Sequence, residues 1–261
     1  MTISNPNRLE QLLDRLRLTA IRDRLDSLLD EAARKDLTLR ETLLFLLEQE
    51  AAQKEQSRHR MGMTMAKFPQ VRTLEQFDFA AQPSVDEKQV RELELCRWVG
   101  NGDSVLLLGP PGVGKTHLAI GMGRAAVGRG YSVLFTSAVP LLVQLSKAHQ
   151  DGRLEERLIQ YAKPKLLIID ELGYLPFDPK AAHLFFQLVS RRYEKGSLLV
   201  TSNRPVGEWG SIFGDSVVAT AILDRMLHHS HVLTIRGESY RLKEKRRSGL
   251  LKPLEMPQSP G

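Results

Sequence analysis

The sequence predicts an α/β fold, a parallel sheet flanked by helices, with a small all-helical domain before it. Two observations support this prediction. Residues 84–235 alternate short apolar runs with helical segments, which is typical of a parallel sheet covered on both faces. Residues 8–58 instead repeat leucine at intervals of three and four, the period of an amphipathic helix. A chain of 261 residues has room for one full-size domain and a small appendage.

Four regions are predicted along the chain. Residues 1–60 are a helical domain, 61–83 a linker, 84–250 the α/β domain with a basic C-terminal stretch, and 251–261 a Pro- and Ser-rich disordered tail. In the helical domain, Thr38 and Glu41 have capping-box spacing, which predicts that the helix Leu39–Gln53 begins there. Its leucines leave two alternatives open, packing within a bundle or docking onto protein or DNA.

Composition excludes several classes of protein. No apolar run approaches the roughly 20 residues that cross a bilayer, and the N-terminus lacks the apolar stretch of a secretory signal. A single cysteine, Cys96, excludes an intramolecular disulfide framework and a cysteine-based zinc site. We therefore expect a cytoplasmic protein with no membrane partner.

The α/β region has a regular order of elements. The predicted strands are Ser104–Leu108, Ser132–Thr136, Lys165–Ile169 and Ser197–Thr201. One helix is predicted to begin at about Lys115, and two more are predicted at Leu141–Ala148 and Ala181–Arg192.

A glycine-rich loop lies between the first of these strands and the helix that follows. It fits the phosphate-binding pattern G-x-x-x-x-G-K-[ST] in full. Its residues are Gly109, Pro110, Pro111, Gly112, Val113, Gly114, Lys115 and Thr116. Glycines let the backbone N–H groups point at phosphates, and the helix dipole attracts negative charge. The loop predicts ATP binding, with Lys115 at the β- and γ-phosphates and Thr116 on Mg²⁺.

Two acids end the buried strand that begins at Lys165. Acids at the carboxyl end of a parallel strand face the ligand crevice of an open α/β sheet. Asp170 is suited to the metal shell, and Glu171 to polarising an attacking water as general base. A kinase excludes water from its site, so the Asp-Glu pair favours an ATPase over a small-molecule kinase.

Weaker signals lie further along the chain. Asn203, after the strand Ser197–Thr201, is predicted to hold the attacking water, with an ordinary turn before Pro205 as the alternative. His228, His229 and His231 have no carboxylate or cysteine at ligand spacing nearby, which favours a structural or surface role. Taken alone, Arg225 and Arg241 are typical of surface ion pairs.

Most of the net charge of +6 is concentrated near the C-terminus. From Arg236 to Lys252, seven basic residues face two acids, a net of +5. Such a block is either a solvated tail or a surface for a phosphate backbone, and charge alone favours neither. If the block is a surface for a phosphate backbone, its DNA contacts are Lys243, Lys245, Arg246 and Arg247.

These motifs together resemble a known family. GPPGVGKT, LLIIDE and LLVTSN, in this order, are similar to the Walker A, Walker B and sensor-1 motifs of AAA+ ATPases. Flanking segments narrow the resemblance to IstB-like insertion-sequence ATP-binding proteins, relatives of DnaC helicase loaders and DnaA initiators, over residues 8–250. Those segments are Ala66–Pro69, Thr73–Phe79, Asp170–Tyr174, Thr201–Arg204 and Gly237–Arg241.

The resemblance implies a DNA transposition helper. Such proteins assemble as ATP-dependent homo-oligomers on double-stranded DNA without sequence specificity, select the target and recruit a cognate transposase. It also implies that Arg225 is an arginine finger donated to a neighbouring subunit's ATP and that Arg241 is a sensor-2 arginine at ATP. Too little chain follows Asn203 for a full helical lid, which is a departure from larger AAA+ proteins.

Three alternatives remain open. A DnaC-like replicative helicase loader has the same core motifs and differs in its partner. A small-molecule kinase would need a phospho-acceptor pocket, for which no motif is apparent. An ATP-gated DNA scaffold with slow hydrolysis overlaps with the leading hypothesis.

Overall fold

A computed structural model describes residues 6–174, 176–240 and 242. It divides into two compact units, residues 1–61 and 62–261. Several predicted features lie outside the described residues, namely Arg241, Lys243, Lys245, Arg246, Arg247 and the tail 251–261.

The first unit is helical. Its elements are α1 (Pro6–Arg15), α2 (Thr19–Asp23), α3 (Leu25–Arg34) and α4 (Leu39–Ala66), whose last turn enters the second unit. The predicted capping box is confirmed, since the Thr38 N–H donates to Glu41 Oε2 at 2.8 Å and the Glu41 N–H donates to Thr38 Oγ1 at 3.4 Å. The predicted end of this helix at Gln53 is wrong, because the helix continues to Ala66.

Glu50 fixes the position of a neighbouring helix within this unit. Its buried carboxylate oxygen Oε2 accepts from the N–H groups of Ala20 and Ile21, at 2.8 and 3.1 Å. These are orphan donors in the first turn of α2. A side chain from α4 therefore does the capping that Leu18, the residue before α2, does not provide.

The second unit is a parallel α/β domain, as predicted. Its strands are β1 (Ser104–Leu108), β2 (Val133–Ser137), β3 (Leu166–Leu172), β4 (Ser197–Ser202) and β5 (Ser230–Thr234). Its helices after α4 are α5 (Glu87–Glu94), α6 (Arg97–Asn101), α7 (Lys115–Gly128), α8 (Ala138–Gln150), α9 (Leu154–Ala162), α10 (Pro179–Arg192), α11 (Trp209–Phe213) and α12 (Ser216–Leu227).

The five strands are ordered β2-β3-β4-β1-β5, and every pairing is parallel. One core cluster lies between the sheet and α8 to α12, and a second lies on the other side with α5, α6 and α7. Every residue of β1 and β4 is buried, which is why both strands read as continuous apolar runs.

The prediction that residues 61–83 form a linker needs correction. Residues 62–83 are part of the second unit and pack into its core. Leu74 is buried, and a Cβ on Gly121 of α7 would meet the Leu74 side chain at 2.6 Å. Phe68 contacts Phe135 edge-on at 6.4 Å between ring centroids. The segment lacks helical or strand periodicity, so its anchoring by single apolar residues was not predictable from the sequence.

Strand β5 was missed by sequence reasoning. It lies at the sheet edge beside β1, and only Leu233 of its five residues is buried. An edge strand with one buried side chain lacks the apolar pattern that identifies a strand. Among the described residues, no helix is long and apolar enough to cross a membrane.

Candidate nucleotide-binding site

The glycine-rich loop joins β1 to α7 at the carboxyl edge of the sheet. Strand β1 ends at Leu108, and α7 begins at Lys115. Gly114, at the N-cap, has φ +101° and provides no side-chain cap. The first N–H groups of α7 are therefore left for a ligand, and the helix dipole makes that end favourable for an anion.

Two glycines of the loop are required by close contacts. A Cβ on Gly112, where φ is +81°, would meet Ser239 Oγ at 2.1 Å. A Cβ on Gly114 would meet Phe77 Cε2 at 2.6 Å. The loop thus lies between the segment 62–83 on one side and the segment after β5 on the other.

Lys115 bonds within the loop. Its Nζ donates to the carbonyl oxygens of Gly109 and Pro110, at 2.7 Å each. Burial lowers the pKa of Lys115 from its ordinary value, and the charges of Asp170 and Glu171 act in the opposite direction. Because carbonyl oxygens are weaker partners than phosphate oxygens, the ammonium is poised to exchange them for a nucleotide.

Asp170 lies at the centre of a hydrogen-bonded group. The Thr116 hydroxyl donates toward both of its carboxylate oxygens, at 3.0 Å each. The Thr201 hydroxyl donates to Oδ1 at 2.5 Å. Asp170 is only 5% exposed, so these contacts keep a buried carboxylate satisfied.

A bulge between β3 and β4 sets the direction of the two acids. Ile169 pairs with Val200 and Leu172 with Ser202, so Asp170 and Glu171 together lie opposite Thr201. Glu171 has φ +61°, a left-handed conformation that L-residues seldom adopt, and its side chain is exposed. The buried acid therefore faces Thr116 while its neighbour faces solvent.

Thr201 joins the two acids and was missed by sequence reasoning. Its hydroxyl donates to Asp170 and accepts from the Glu171 N–H at 2.9 Å. The available signal was a threonine inside a buried strand, where a hydroxyl needs a partner.

Asn203 directly follows β4, the strand between β3 and β1. Its side-chain Oδ1 is buried and has no hydrogen-bond partner among the described residues. An unpaired buried acceptor is costly, so a ligand or water at this edge would relieve it.

A cavity of about 440 Å³ adjoins the loop, within the usual size range of ligand pockets. Its walls include Gly114 to His117 of the loop and helix. They also include Gln76, Phe77 and Asp78 from the predicted linker. The Phe77 ring is partly buried against the core and also lines this cavity.

The segment after β5 is attached to the loop by backbone contacts. The Tyr240 N–H donates to the Gly112 carbonyl at 3.0 Å. Ser84 donates to the Arg236 carbonyl at 3.0 Å and accepts from the Arg236 N–H at 2.9 Å. The residue that precedes Arg241 therefore touches the loop, although Arg241 itself lies outside the described residues.

Arg225 lies near the amino-terminal ends of the strands, opposite the ends that carry the nucleotide site. It lines a small cavity with Ser104, the first residue of β1, and with Leu198 of β4. Its Nη1 donates to the Ala221 carbonyl at 3.1 Å, and its guanidinium lies 4.7 Å from the centroid of the Phe186 ring. The glycine-rich loop follows the other end of β1, so this arginine is not part of its own chain's nucleotide site.

The loop, the acid pair on β3 and the strand order β2-β3-β4-β1-β5 define a P-loop ATP-binding domain of the AAA+ class. The chain belongs to the IstB-like ATP binding protein family, whose model matches residues 11–248. The resemblance stated from the sequence motifs is thereby confirmed.

Curated relatives match nearly the whole chain. The ATP-binding protein of insertion sequence IS21 from Pseudomonas aeruginosa is 51% identical, over 93% of this chain and 92% of that protein. The ATP-binding protein of insertion sequence IS5376 from Geobacillus stearothermophilus is 46% identical, over 92% of this chain and 95% of that protein.

Solved structures share the fold. The structure of AMPPCP-bound DnaA from Aquifex aeolicus has a TM-score of 0.55 and 21% sequence identity. It is matched over 74% of this chain and 58% of the DnaA chain. At this identity the likeness shows the AAA+ fold alone.

Proposed function

We propose that this protein is an ATPase that forms a homo-oligomer on double-stranded DNA when ATP is bound, selects target DNA and recruits and stimulates a cognate transposase. The insertion-sequence names of its relatives support the transposition role. The observation that carries the hydrolysis step is the bulge that separates buried Asp170 from exposed Glu171.

The residues at the site fit a magnesium ion. The Thr116 hydroxyl and the Asp170 carboxylate are oxygen donors of the kind that Mg²⁺ takes, and they already lie within hydrogen-bond distance of each other. In nucleotide sites, magnesium neutralises charge on the β- and γ-phosphates. Thr116 and Asp170 are the residues that would hold it, with Thr201 fixing the carboxylate from the other side.

The chain's own groups supply the remaining chemistry. Lys115 exchanges the Gly109 and Pro110 carbonyls for phosphate oxygens, so the ammonium charge stabilises the γ-phosphate as it leaves. Glu171 takes a proton from the attacking water, because its carboxylate is exposed and free of the contacts that occupy Asp170. Asn203 positions that water through its unpaired Oδ1.

Arg225 acts in this proposal on the nucleotide of a neighbouring subunit. Its position at the amino-terminal edge of β1 and β4 supports a role in trans, since the loop of its own chain lies at the carboxyl edge. A guanidinium beside the γ-phosphate stabilises charge in the transition state. Arg241, which lies outside the described residues, is assigned to ATP as a sensor-2 arginine.

DNA contacts are assigned to the basic C-terminal stretch, and specifically to Lys243, Lys245, Arg246 and Arg247. Lysine and arginine contacts to phosphates carry no sequence information, so we propose binding without base preference. Affinity for random-sequence duplex should fall steeply with salt, because each phosphate contact releases counterions. A flat salt dependence would exclude the basic stretch as the DNA contact.

Sedimentation of the full chain tests the proposal. Assembly is measured with and without ATP, and with and without random-sequence duplex DNA. We expect large assemblies only when both are present, and a monomer under every condition would overturn the proposal. Lys115→Ala should abolish both ATP binding and assembly. Glu171→Gln should bind ATP, assemble and remain on DNA, since it lacks the base for hydrolysis.

A second measurement separates the transposition role from the ATPase role. The target-joining activity of the transposase from the same insertion sequence is measured with and without this protein, with ATP and duplex target. Stimulation that Lys115→Ala loses supports the proposal. A protein that hydrolyses ATP on DNA yet leaves the transposase unaffected keeps the ATPase assignment and overturns the partner.

A further inference from the structure

A cluster of three metal-ligating side chains lies at the amino-terminal edge of the sheet. Glu194, His228 and His229 are exposed, and one ligand atom from each lies within 4.8 Å of those of the other two. No carboxylate stands at ligand spacing from these histidines in the sequence, and Glu194 comes near them only through the fold. Glu194 belongs to the turn between α10 and β4, which the fold brings beside the end of α12.

We propose that Glu194, His228 and His229 form a binding site for a transition-metal cation, with zinc as the ion that fits best. Two imidazoles and one carboxylate are a common zinc ligand set, and an exposed set of three leaves further positions for water. The same ligands disfavour magnesium, which takes oxygen donors in octahedral geometry. The site is therefore chemically distinct from the one at Thr116 and Asp170.

The backbone fixes both histidines. His228 caps the C-terminus of α12, and its N–H donates to the Asp224 carbonyl at 3.1 Å. The His229 carbonyl accepts from the Ser104 N–H at 2.8 Å, at the start of β1. The two ring centroids lie 4.1 Å apart. A helix C-terminus also carries partial negative charge, which favours a cation there.

Tyr193 orients one of the ligands. Its hydroxyl lies 2.9 Å from His228 Nδ1, which leaves Nε2 as the ring nitrogen for a metal. Metal-bound histidines in proteins characteristically have such a partner on the second ring nitrogen. Here the partner stands beside Glu194 in the sequence, so one turn supplies both a ligand and its orienting group.

Hydrogen bonds of Arg192 hold the turn that carries Glu194. The N–H groups of Lys195 and Gly196 both donate to the Arg192 carbonyl at 2.9 Å. The guanidinium of Arg192 is buried and donates to five backbone carbonyls, those of Tyr161, Ala162, Pro164, Lys165 and Ser197. Glu194 thus projects from a fixed turn, with φ +57°, and not from a mobile loop.

Metal at this site would join the turn after α10 to the end of α12. Glu194 and His229 line the same small cavity as Arg225, which lies one turn before His228 on α12. A bound cation would therefore restrain the helix end that carries this arginine.

Zinc titration of the full, tag-free chain by calorimetry tests the site, in excess magnesium to occupy oxygen-donor sites. We expect one saturable zinc ion per chain. His229→Ala should weaken binding at least about tenfold, and Tyr193→Phe should weaken it by about tenfold or more through loss of the orienting hydroxyl. The matched control is His231→Ala, which removes a neighbouring histidine that lies 3.9 Å from Asp103 and should leave zinc affinity unchanged.

Two further measurements make the result decisive. Bound Co²⁺ should give visible absorption bands in the wild-type chain that the double variant His228→Ala/His229→Ala loses. ATP affinity of each variant, measured without zinc, checks that it is folded. The proposal is overturned if wild type binds no saturable zinc, if the double variant binds it equally well, or if His231→Ala loses as much as His229→Ala.

Discussion

Thr116 and Asp170 are joined by a hydrogen bond from the hydroxyl to the carboxylate, at 3.0 Å to each oxygen. The two residues come from different motifs, one at the start of α7 and the other in β3. Strand β4 lies between β3 and β1 in the sheet, and it contributes Thr201 to the same carboxylate. The fold itself therefore brings these oxygen donors together, which reduces the reorganisation needed when a nucleotide binds.

Thr201→Val should slow ATP hydrolysis with little effect on ATP affinity. The variant keeps the side-chain shape but removes the hydrogen bond to Asp170 and the acceptor for the Glu171 N–H. A hydrogen bond to a charged group contributes about 1.5–3 kcal/mol, which corresponds to about tenfold to a hundredfold in rate. Steady-state ATPase assays measure it. Thr220→Val on α12 is the control, because among the described residues its hydroxyl bonds the Ser216 carbonyl alone. An unchanged kcat would show that Thr201 does not position the acids.

ATP affinity should begin to fall at a lower pH than it would if Lys115 had the ordinary pKa of a lysine. Burial lowers the pKa of Lys115 in the nucleotide-free chain, and the phosphates bind its protonated form. As pH rises through this lowered pKa, the free chain loses the proton and the affinity decreases. Calorimetric titrations between about pH 7 and pH 10 measure the effect. Lys115→Arg stays charged throughout, so its affinity should be flat over the same range. A wild-type profile equally flat would contradict the prediction.

Gly112→Ala should destabilise the protein and abolish ATP binding. The new methyl group would overlap Ser239, and φ +81° is unfavourable for alanine, at a cost of about 1–3 kcal/mol. Denaturant unfolding and ATP titration measure both effects. Adding Ser239→Gly removes part of the overlap and should restore part of the stability. The matched control is Gly128→Ala, because a Cβ there would meet no other segment of the described chain within 4 Å. Equal losses in the two variants would exclude a specific contact between Gly112 and Ser239.

The sequence predicted the parts of the site whose signals are local. The loop at Gly109 and the acids after Ile169 follow apolar strands, and parallel strands end at one edge, so their proximity followed from the pattern alone. Contacts between distant segments were not predictable. Glu194 has no periodic or motif signal beside His229. Ser239 belongs to the segment Gly237–Arg241, but nothing in that segment indicates a contact with Gly112, because each contact depends on how loops close over the finished sheet.

The bulge at Asp170 was predictable only in part. The sequence identified both acids, but not that one faces inward and the other outward. In a regular ladder the two acids would lie opposite two successive residues of β4. The bulge instead places both opposite Thr201, so a single hydroxyl holds both. This arrangement depends on the register between β3 and β4, which a single strand's sequence does not contain.

Arg192→Met should cost about 3 kcal/mol or more of stability. Within the described part of the chain the guanidinium is buried without a carboxylate partner, and burial lowers its pKa to about 10. Its bonds to backbone carbonyls tie the end of α9 to the starts of β3 and β4, and methionine would leave acceptors without a donor. Denaturant unfolding measures the change. Arg191→Met is the control, since its exposed ion pair with Glu155 contributes about 1 kcal/mol at most. Similar losses in both variants would contradict the structural role of Arg192.

Mixing two inactive variants should restore ATPase activity if Arg225 acts in trans. Arg225→Ala keeps Glu171, and Glu171→Gln keeps Arg225, so an interface between the two chains can contain both intact residues. Random mixing at equal amounts makes about one quarter of interfaces competent, because an arginine finger serves the neighbouring site. ATPase assays of each variant and of the mixture measure this.

The control mixture combines Glu171→Gln with Lys115→Ala. Both of its defects fall in the same nucleotide site, so no chain can supply an intact site to a neighbour's Arg225, and the mixture should stay inactive. If Arg225 acted on its own chain's ATP, every chain in the first mixture would also be defective and activity would stay absent. Recovery in the first mixture alone therefore requires that Arg225, which contacts Phe186 in the isolated chain, reaches the site of an adjacent subunit.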